Sequence, residues 1–363
     1  MKKRILLTIL SFVLIIMSAL SFASCNIIPP SWVEGVVYAT SEDGTYAEVK
    51  GYANTRTYER NGETIRKEYK GRVSEVQIAD TYNGLPVRSI KKKAFAGVGI
   101  VSVIIPESVT SIGDGAFANC RYLKSIKVAE GNSEYQDIDG TLYTKDGKTL
   151  IQYATAKLKT KFIIPESVIT ISDSAFYGCK WLKSVVIPES VTTIGDSAFY
   201  GCKWLKSVII PESVTSIGDS AFSNSRYLKS ITVTRRNRKY KDIDGNLYTR
   251  DGKTLIQYAI GKKETKFVVP NGVNSISVKA FYGCDSLTSI VIPFIVSTIG
   301  DQAFSNCNKL TGIYYQGIVP GLLDIGSDNP ALTSLVYYYK ETQPMTMLGQ
   351  YWHYNENGDP TPW

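Results

Sequence analysis

Residues Ile164–Val233 read IPESVITISDSAFYGCKWLKSVV, then IPESVTTIGDSAFYGCKWLKSVI, then IPESVTSIGDSAFSNSRYLKSITV. Pro165, Pro188 and Pro211 set the period at 23 residues. A fixed period of this size marks stacked supersecondary units, and it argues against an ordinary globular enzyme. In the copy that starts at Ile187 the apolar set is Ile187, Val191, Ile194, Ala198, Phe199, Cys202, Leu205 and Val208. That spacing fits neither one long helix nor one long strand. It suits a coil that turns once per copy and points an apolar residue inward at each corner. Val208-Ile209-Ile210 alternates as a strand does, and Pro211 ends it for want of a ladder donor. Asp196 stands where it would cap one short helical turn before Ser197-Ala198-Phe199, and Asp114, Asp173, Asp219 and Asp301 recur there.

A buried apolar side chain contributes about 1.5–3 kcal/mol. Ordering one residue's backbone costs about 1–2 kcal/mol. A lone coil therefore cannot stay folded, whereas stacked coils share their inward faces. Strands are predicted at Val76–Ile78, Val103–Ile105, Ile126–Val128, Phe162–Ile164, Val185–Ile187, Val208–Ile210, Ile231–Val233, Phe267–Val269, Ile290–Ile292 and Ile313–Tyr315. Two steps are 36 residues long and carry the related inserts YQDIDGTLYTKDGKTLIQYA and YKDIDGNLYTRDGKTLIQYA. Asp146-Gly147 and Asp251-Gly252 are read as two-residue turns of hairpins that project from the array. Asp137/Asp139 and Asp242/Asp244 lack the further ligands of a calcium loop and are read as turn residues.

The pattern of Leu205-Lys206-Ser207-Val208-Ile209-Ile210-Pro211 with Ala221-Phe222, repeated in the other copies, resembles the BspA-like, or Treponema pallidum-type, leucine-rich repeats. Ile138–Tyr143, Ile243–Tyr248, the lead-in Tyr82–Val87 and the terminus Tyr351–Trp363 also resemble elements of that family. The resemblance implies a leucine-rich repeat solenoid. Its curved parallel β-sheet faces short helical turns or irregular segments, with two inserted β-hairpins and β-rich caps. It further implies a bacterial surface protein, since several members are adhesins.

The start of the chain fits export. Lys2, Lys3 and Arg4 precede an apolar run, Ile5–Ala19, followed by Ala23-Ser24-Cys25. This resembles a bacterial lipoprotein signal with Cys25 as the lipidated residue, although Phe22 replaces the usual Leu. A plain secretory signal is the alternative. The chain divides as 1–24 signal peptide, 25–35 lipidated tether, 36–75 amino-terminal cap, 76–315 array with inserts 129–161 and 234–266, and 316–363 carboxy-terminal cap. The net charge is +8, and loss of the leader leaves 38 basic against 33 acidic residues, too weak a balance to point to nucleic acid.

Cys120, Cys179, Cys202, Cys284 and Cys307 share one register, held by Ser225 in another copy, which reads as a buried thiol slot. Cys179/Cys202 and Cys284/Cys307, on neighbouring rungs, are the alternative bridges. His353 is the only histidine, so no catalytic triad or zinc ligand set is legible, and no cofactor is expected.

After the thiol slot come Arg121-Tyr122, Lys180-Trp181, Lys203-Trp204 and Arg226-Tyr227, then Lys124, Lys183, Lys206 and Lys229. Stacking turns these into cationic and aromatic stripes, suited to a protein anchor or a sugar ring. The alternative is rings that shield rung edges and lysines that keep the array soluble. Arg235, Arg236, Arg238, Lys239 and Lys241 form a second basic group suited to an anionic polymer. The reading is an adhesin-like surface lipoprotein, not an enzyme, that binds a host matrix protein, mucin or polysaccharide and meets the membrane through its lipid alone. An envelope spacer without a specific ligand is the alternative.

Overall fold

The computed structural model describes residues 31–60, 63–68, 72–317, 324–329, 335–342 and 350–363. Cys25 and the leader lie outside them. The described residues form two units, one from 31–35 and 53–68, the other from 36–52 and those from 72 onward. In the first, Thr55–Arg60 pairs antiparallel with residues Glu63–Glu68. The second unit is the array.

Two ladders of parallel strands run through the array. The ten predicted strands all belong to the longer-stranded ladder, each displaced by no more than three residues at either end. Neighbours pair one period apart, as Ser207–Ile210 does with Ser230–Val233. Two further strands, Val336–Tyr339 and Tyr351–Tyr354, extend this ladder. The second ladder is made of two-residue strands such as Thr170–Ile171, Thr193–Ile194 and Ser216–Ile217. Its hydroxyl residues face outward or lie half-buried, and Ile171 and Ile194 point into the core.

The inward reading of the phenylalanines holds. Phe176 stacks on Phe199 with ring centroids 4.8 Å apart, and Phe199 on Phe222 at 5.5 Å, all fully buried. Tyr153 and Tyr258, from the inserts, continue the same stacks at 5.2 and 5.1 Å from Phe176 and Phe281. The five cysteines of the slot are buried free thiols. Cys202 Sγ donates to the Phe176 carbonyl one rung back, at 3.2 Å, and Ser225 Oγ donates to that of Phe199 at 3.0 Å. The slot is thus chosen for a small donor, which is why serine can replace cysteine.

Three local expectations are corrected. No α-helix occurs among the described residues, and the aspartates do not cap one. Asp173 Oδ1 accepts from Asp196 N on the next rung, and Asp196 Oδ1 from Asp219 N, both at 2.8 Å. The segment after each aspartate is a run of tight turns with a left-handed residue, Ser197 at φ 54° and Ser220 at φ 59°.

The second correction concerns the turn. Ile138 pairs with Thr141, so the two-residue turn is Asp139-Gly140, with φ of 51° and 66°, the signature of a primed hairpin turn. Asp146-Gly147 instead belongs to a longer turn, where Asp146 Oδ1 accepts from Thr144 Oγ1 and Lys148 N.

The third is that the inserts do not stand out from the array. Each is a three-stranded meander whose last strand, Thr149–Gln152 or Thr254–Gln257, joins the short ladder. Leu142, Tyr143, Leu150 and Tyr153 are buried in the shared core. The inserts are enlarged rungs, because their alternate residues are as apolar as those of the repeats they join.

Between its ladder strand and its core aromatic the insert has two residues fewer than a repeat, since Leu150 pairs with Ile171 while Tyr153 stacks on Phe176. A cleft of about 200 Å³ remains there, lined among others by Asp114, Gln152, Ser172 and Asp173. This accounts for one sequence variation. A side chain at Gly195 or Gly218 would meet the backbone nitrogen of Asp173 or Asp196 at 2.5 Å. Ser172 and Ser277 occupy that position only in the copies that follow an insert, where the preceding rung is short.

Candidate functional site

The exposed stripe is produced by one turn repeated on each rung. Leu205 N donates to Cys202 O at 3.0 Å, which fixes Lys203 and Trp204 at the tip of a tight turn between two buried anchors. Leu123 to Cys120 and Leu228 to Ser225 repeat the bond at 3.0 and 2.9 Å. Bonds from Lys206 N to Lys183 O and from Lys229 N to Lys206 O align the tips one above another.

All the predicted contact residues of this stripe are exposed: Arg121, Tyr122, Lys180, Trp181, Lys183, Lys203, Trp204, Lys206, Arg226, Tyr227 and Lys229, as is Lys124. Tyr122, Trp181, Trp204 and Tyr227 keep 45%, 50%, 43% and 42% of their surface in solvent. Trp204 and Tyr227 stack at 4.6 Å with rings 16° apart. The guanidinium of Arg72 lies over Tyr122 at 6.0 Å.

The stripe has a member that sequence reading missed. The first insert supplies the rung between Tyr122 and Trp181, since Ala156 N bonds Leu123 O and Lys183 N bonds Thr160 O. Leu158 takes the aromatic position there and is 76% exposed. The signal was available, because Leu158 stands one period before Trp181 just as Trp181 stands one period before Trp204. The apolar column therefore spans five consecutive rungs. It ends where Lys263, Ser286 and Lys309 take the position.

Beside it runs a column of cations. Arg226 pairs with Asp285. Arg121, Lys180 and Lys203 form no ion pair with a described residue. Partial burial, then the charges of Arg121 and Lys203, hold the Lys180 ammonium below the usual lysine range. Cations crowded at rung spacing, ~4.8 Å, favour an arriving negative charge.

A second missed surface is the outer face of the long-strand ladder. Ile163, Val186, Ile209 and Val268 point outward there and are exposed. Farther along the same face, Val291, Tyr314 and Trp352 are buried together, with Tyr337 and Tyr339 packed on them. The chain covers its own sheet face with aromatic rings at one end and leaves the aliphatic column next to it bare.

Arg235, Arg236 and Arg238 are also exposed, at the opposite end of strand Ser230–Val233 from Tyr227. His353, in strand Tyr351–Tyr354, stacks on Trp363 with ring centroids 3.7 Å apart. Among the described residues no group of three or more histidine, cysteine or acidic side chains is placed to hold a metal ion.

These features meet a family pattern. A model described as BspA type leucine-rich repeat region, in six copies, matches residues 74–140, 152–248 and 258–322. The chain belongs to the BspA-type leucine-rich repeat family. Among solved structures it is similar to a leucine-rich repeat protein from Eubacterium ventriosum, with 28% identity over 80% of this chain and 70% of that one, TM-score 0.50. A leucine-rich cell surface protein from Faecalibacterium prausnitzii is 23% identical over 86% of this chain and 89% of that one, TM-score 0.46. A leucine-rich repeat protein from Bacteroides ovatus is 21% identical over 84% of this chain and 77% of that one, TM-score 0.37. No curated protein matches the chain. The gaps in the family match, 141–151 and 249–257, fall inside the two enlarged rungs of this BspA-type array.

Proposed function

We propose that this protein is exported, anchored in the cell envelope through Cys25, and binds another macromolecule, adhesin-fashion, with its repeat array. The observation that carries the reading is the column Tyr122, Leu158, Trp181, Trp204 and Tyr227. Five consecutive rungs hold a large apolar side chain in solvent at one position, flanked by cations of which Arg121, Lys180 and Lys203 form no ion pair with a described residue. Nothing in the rung requires this, because Ser286 and Lys309 occupy the same position in other copies of the array. Aromatic and arginine side chains on a rigid scaffold are the usual anchors of a binding surface. The bare aliphatic face of the neighbouring sheet enlarges the apolar area available to a partner.

The test is a binding screen of the purified protein against host matrix proteins, mucins and bacterial polysaccharides. It is followed by a variant combining Trp181→Ala, Trp204→Ala, Lys183→Ala and Lys206→Ala. Truncating a central tryptophan typically costs about 2 kcal/mol or more, so affinity for the partner should fall at least about thirtyfold. Unchanged affinity refutes the column. Equal, salt-suppressed binding to every charged polymer favours an envelope spacer. Labelled palmitate should enter the wild-type chain and not the Cys25→Ala chain.

A further inference from the structure

The two enlarged rungs are copies of one framework with opposite charge at one corner. In the first, Asn132 Nδ2 donates to Pro106 O and Val109 O at 2.8 and 2.9 Å, while its Oδ1 accepts from Glu134 N and Tyr135 N. In the second, Asn237 Nδ2 donates to Pro211 O and Val214 O at 2.7 and 2.9 Å, and its Oδ1 accepts from Lys239 N and Tyr240 N. The tyrosine hydroxyls accept from Ile112 N at 3.0 Å and Ile217 N at 2.9 Å. Asp137 and Asp242 accept from Val128 N and Val233 N at 2.8 and 2.7 Å.

The residues that hold this framework are the same in both copies. The five between them are not. Glu130, Gly131, Ser133, Glu134 and Gln136 of the first corner become Arg235, Arg236, Arg238, Lys239 and Lys241 in the second. Formal charge over 130–136 is −2 and over 235–241 is +5. The first corner shows that the fold does not need these cations. None of the five forms an ion pair with a described residue, and four of them are exposed, with Lys241 half-buried against the Gly252 turn. The carboxylates nearest in the chain, Asp242 and Asp244, leave residues 235–244 with a formal charge of +3, and Asp242 already accepts the Val233 amide.

We infer that the corner Arg235–Lys241 is a binding site for a linear polyanion bearing sulfate or phosphate esters. Three guanidinium groups present planar donor pairs that match such oxyanions bidentately. No large hydrophobic side chain is exposed among residues 234–241, so the corner lacks the apolar anchor that a folded protein partner would use. The site is separate from the aromatic column, and the two proposals fail independently.

The experiment replaces the second corner with the residues of the first: Arg235→Glu, Arg236→Gly, Arg238→Ser, Lys239→Glu and Lys241→Gln, a set that this backbone already accepts once. Binding of the full chain to heparin, to polyphosphate and to neutral dextran is measured over a range of salt. Wild type should bind heparin, polyphosphate or both, and not dextran, and the two polyanion arms tell sulfate from phosphate preference. The corner variant should bind at least about tenfold more weakly, with an unchanged melting temperature and a shallower salt dependence, as the loss of several weak, largely exposed charge contacts requires. The reciprocal graft, Glu130→Arg with Glu134→Lys and Gln136→Lys, should raise polyanion affinity. Unchanged binding in the corner variant overturns the inference. So does an equal loss when Lys180, Lys183, Lys203, Lys206 and Lys229 are neutralised instead, which would show bulk charge alone. A wild-type dimer that the corner variant abolishes, without polyanion binding, overturns it in favour of a second copy docking through its acidic corner.

Discussion

Cys202 and Ser225 fill the same slot and donate to the same kind of carbonyl, so the sulfur itself is dispensable. Cys202→Ser should leave stability nearly unchanged, whereas Cys202→Ala removes the donor and should cost about 0.5–1.5 kcal/mol in urea unfolding. Burial pushes the Cys120 and Cys307 thiols from their ordinary 9.0 up to about 12. Burial, then the charge of Asp139, takes the Tyr143 hydroxyl to about 12. The unfolded chain therefore loses these protons first as alkali is added. Their contribution to stability is complete below pH 9.0 and is lost between pH 9.0 and about 12. Melting temperature should be flat up to pH 8 and fall by pH 11, less steeply in a Cys120→Ser, Cys307→Ser chain, because serine does not titrate there. Phe199 is stacked on both sides, and its truncation to alanine should cost about 3–5 kcal/mol by the same unfolding measurement.

At the scale of the element, the rung is fixed by what its neighbour allows. Gly218→Ser should lower the melting temperature markedly, since a side chain there meets the backbone of the rung before. Ser172→Gly should change it little, because the insert rung leaves room. Gly140→Ala should cost about 1 kcal/mol or more, through its left-handed φ of 66° and a contact 2.6 Å from Ser125 Oγ. These cases also show what one sequence can carry. The strands were legible because their residues alternate as in Val208-Ile209-Ile210, against a proline stop in six of the ten. The turn was misplaced because Asp139-Gly140 and Asp146-Gly147 are the same dipeptide, and only the pairing of Ile138 with Thr141 separates them. The role of Asp196 was misread because its partner, Asp219 N, belongs to the next rung and is invisible when one copy is read alone.

Across the whole array, stability passes from rung to rung, and the last rungs must be closed. Trp352, fully buried with Tyr314 and bonded through Nε1 to Tyr315 O at 3.0 Å, does this at the carboxy-terminal end. Trp352→Ala should open the terminal strands first, seen as loss of hydrogen-exchange protection in residues 312–315 before the central rungs. The stripe was legible from the fixed period. Leu158 was overlooked because its insert hides the register, and the bare aliphatic face because strand alternation alone does not say which side is covered. The coils from Ile164 and Ile187 begin with the same five residues, and each hands on to the next through a β-branched residue, Val186 or Ile209, before Ile-Pro. Unequal crossing-over within the corresponding stretch of the gene would delete or duplicate one whole coil in frame, with both seams native in sequence. The length of this array is thus free to change by whole coils without a new fold having to evolve.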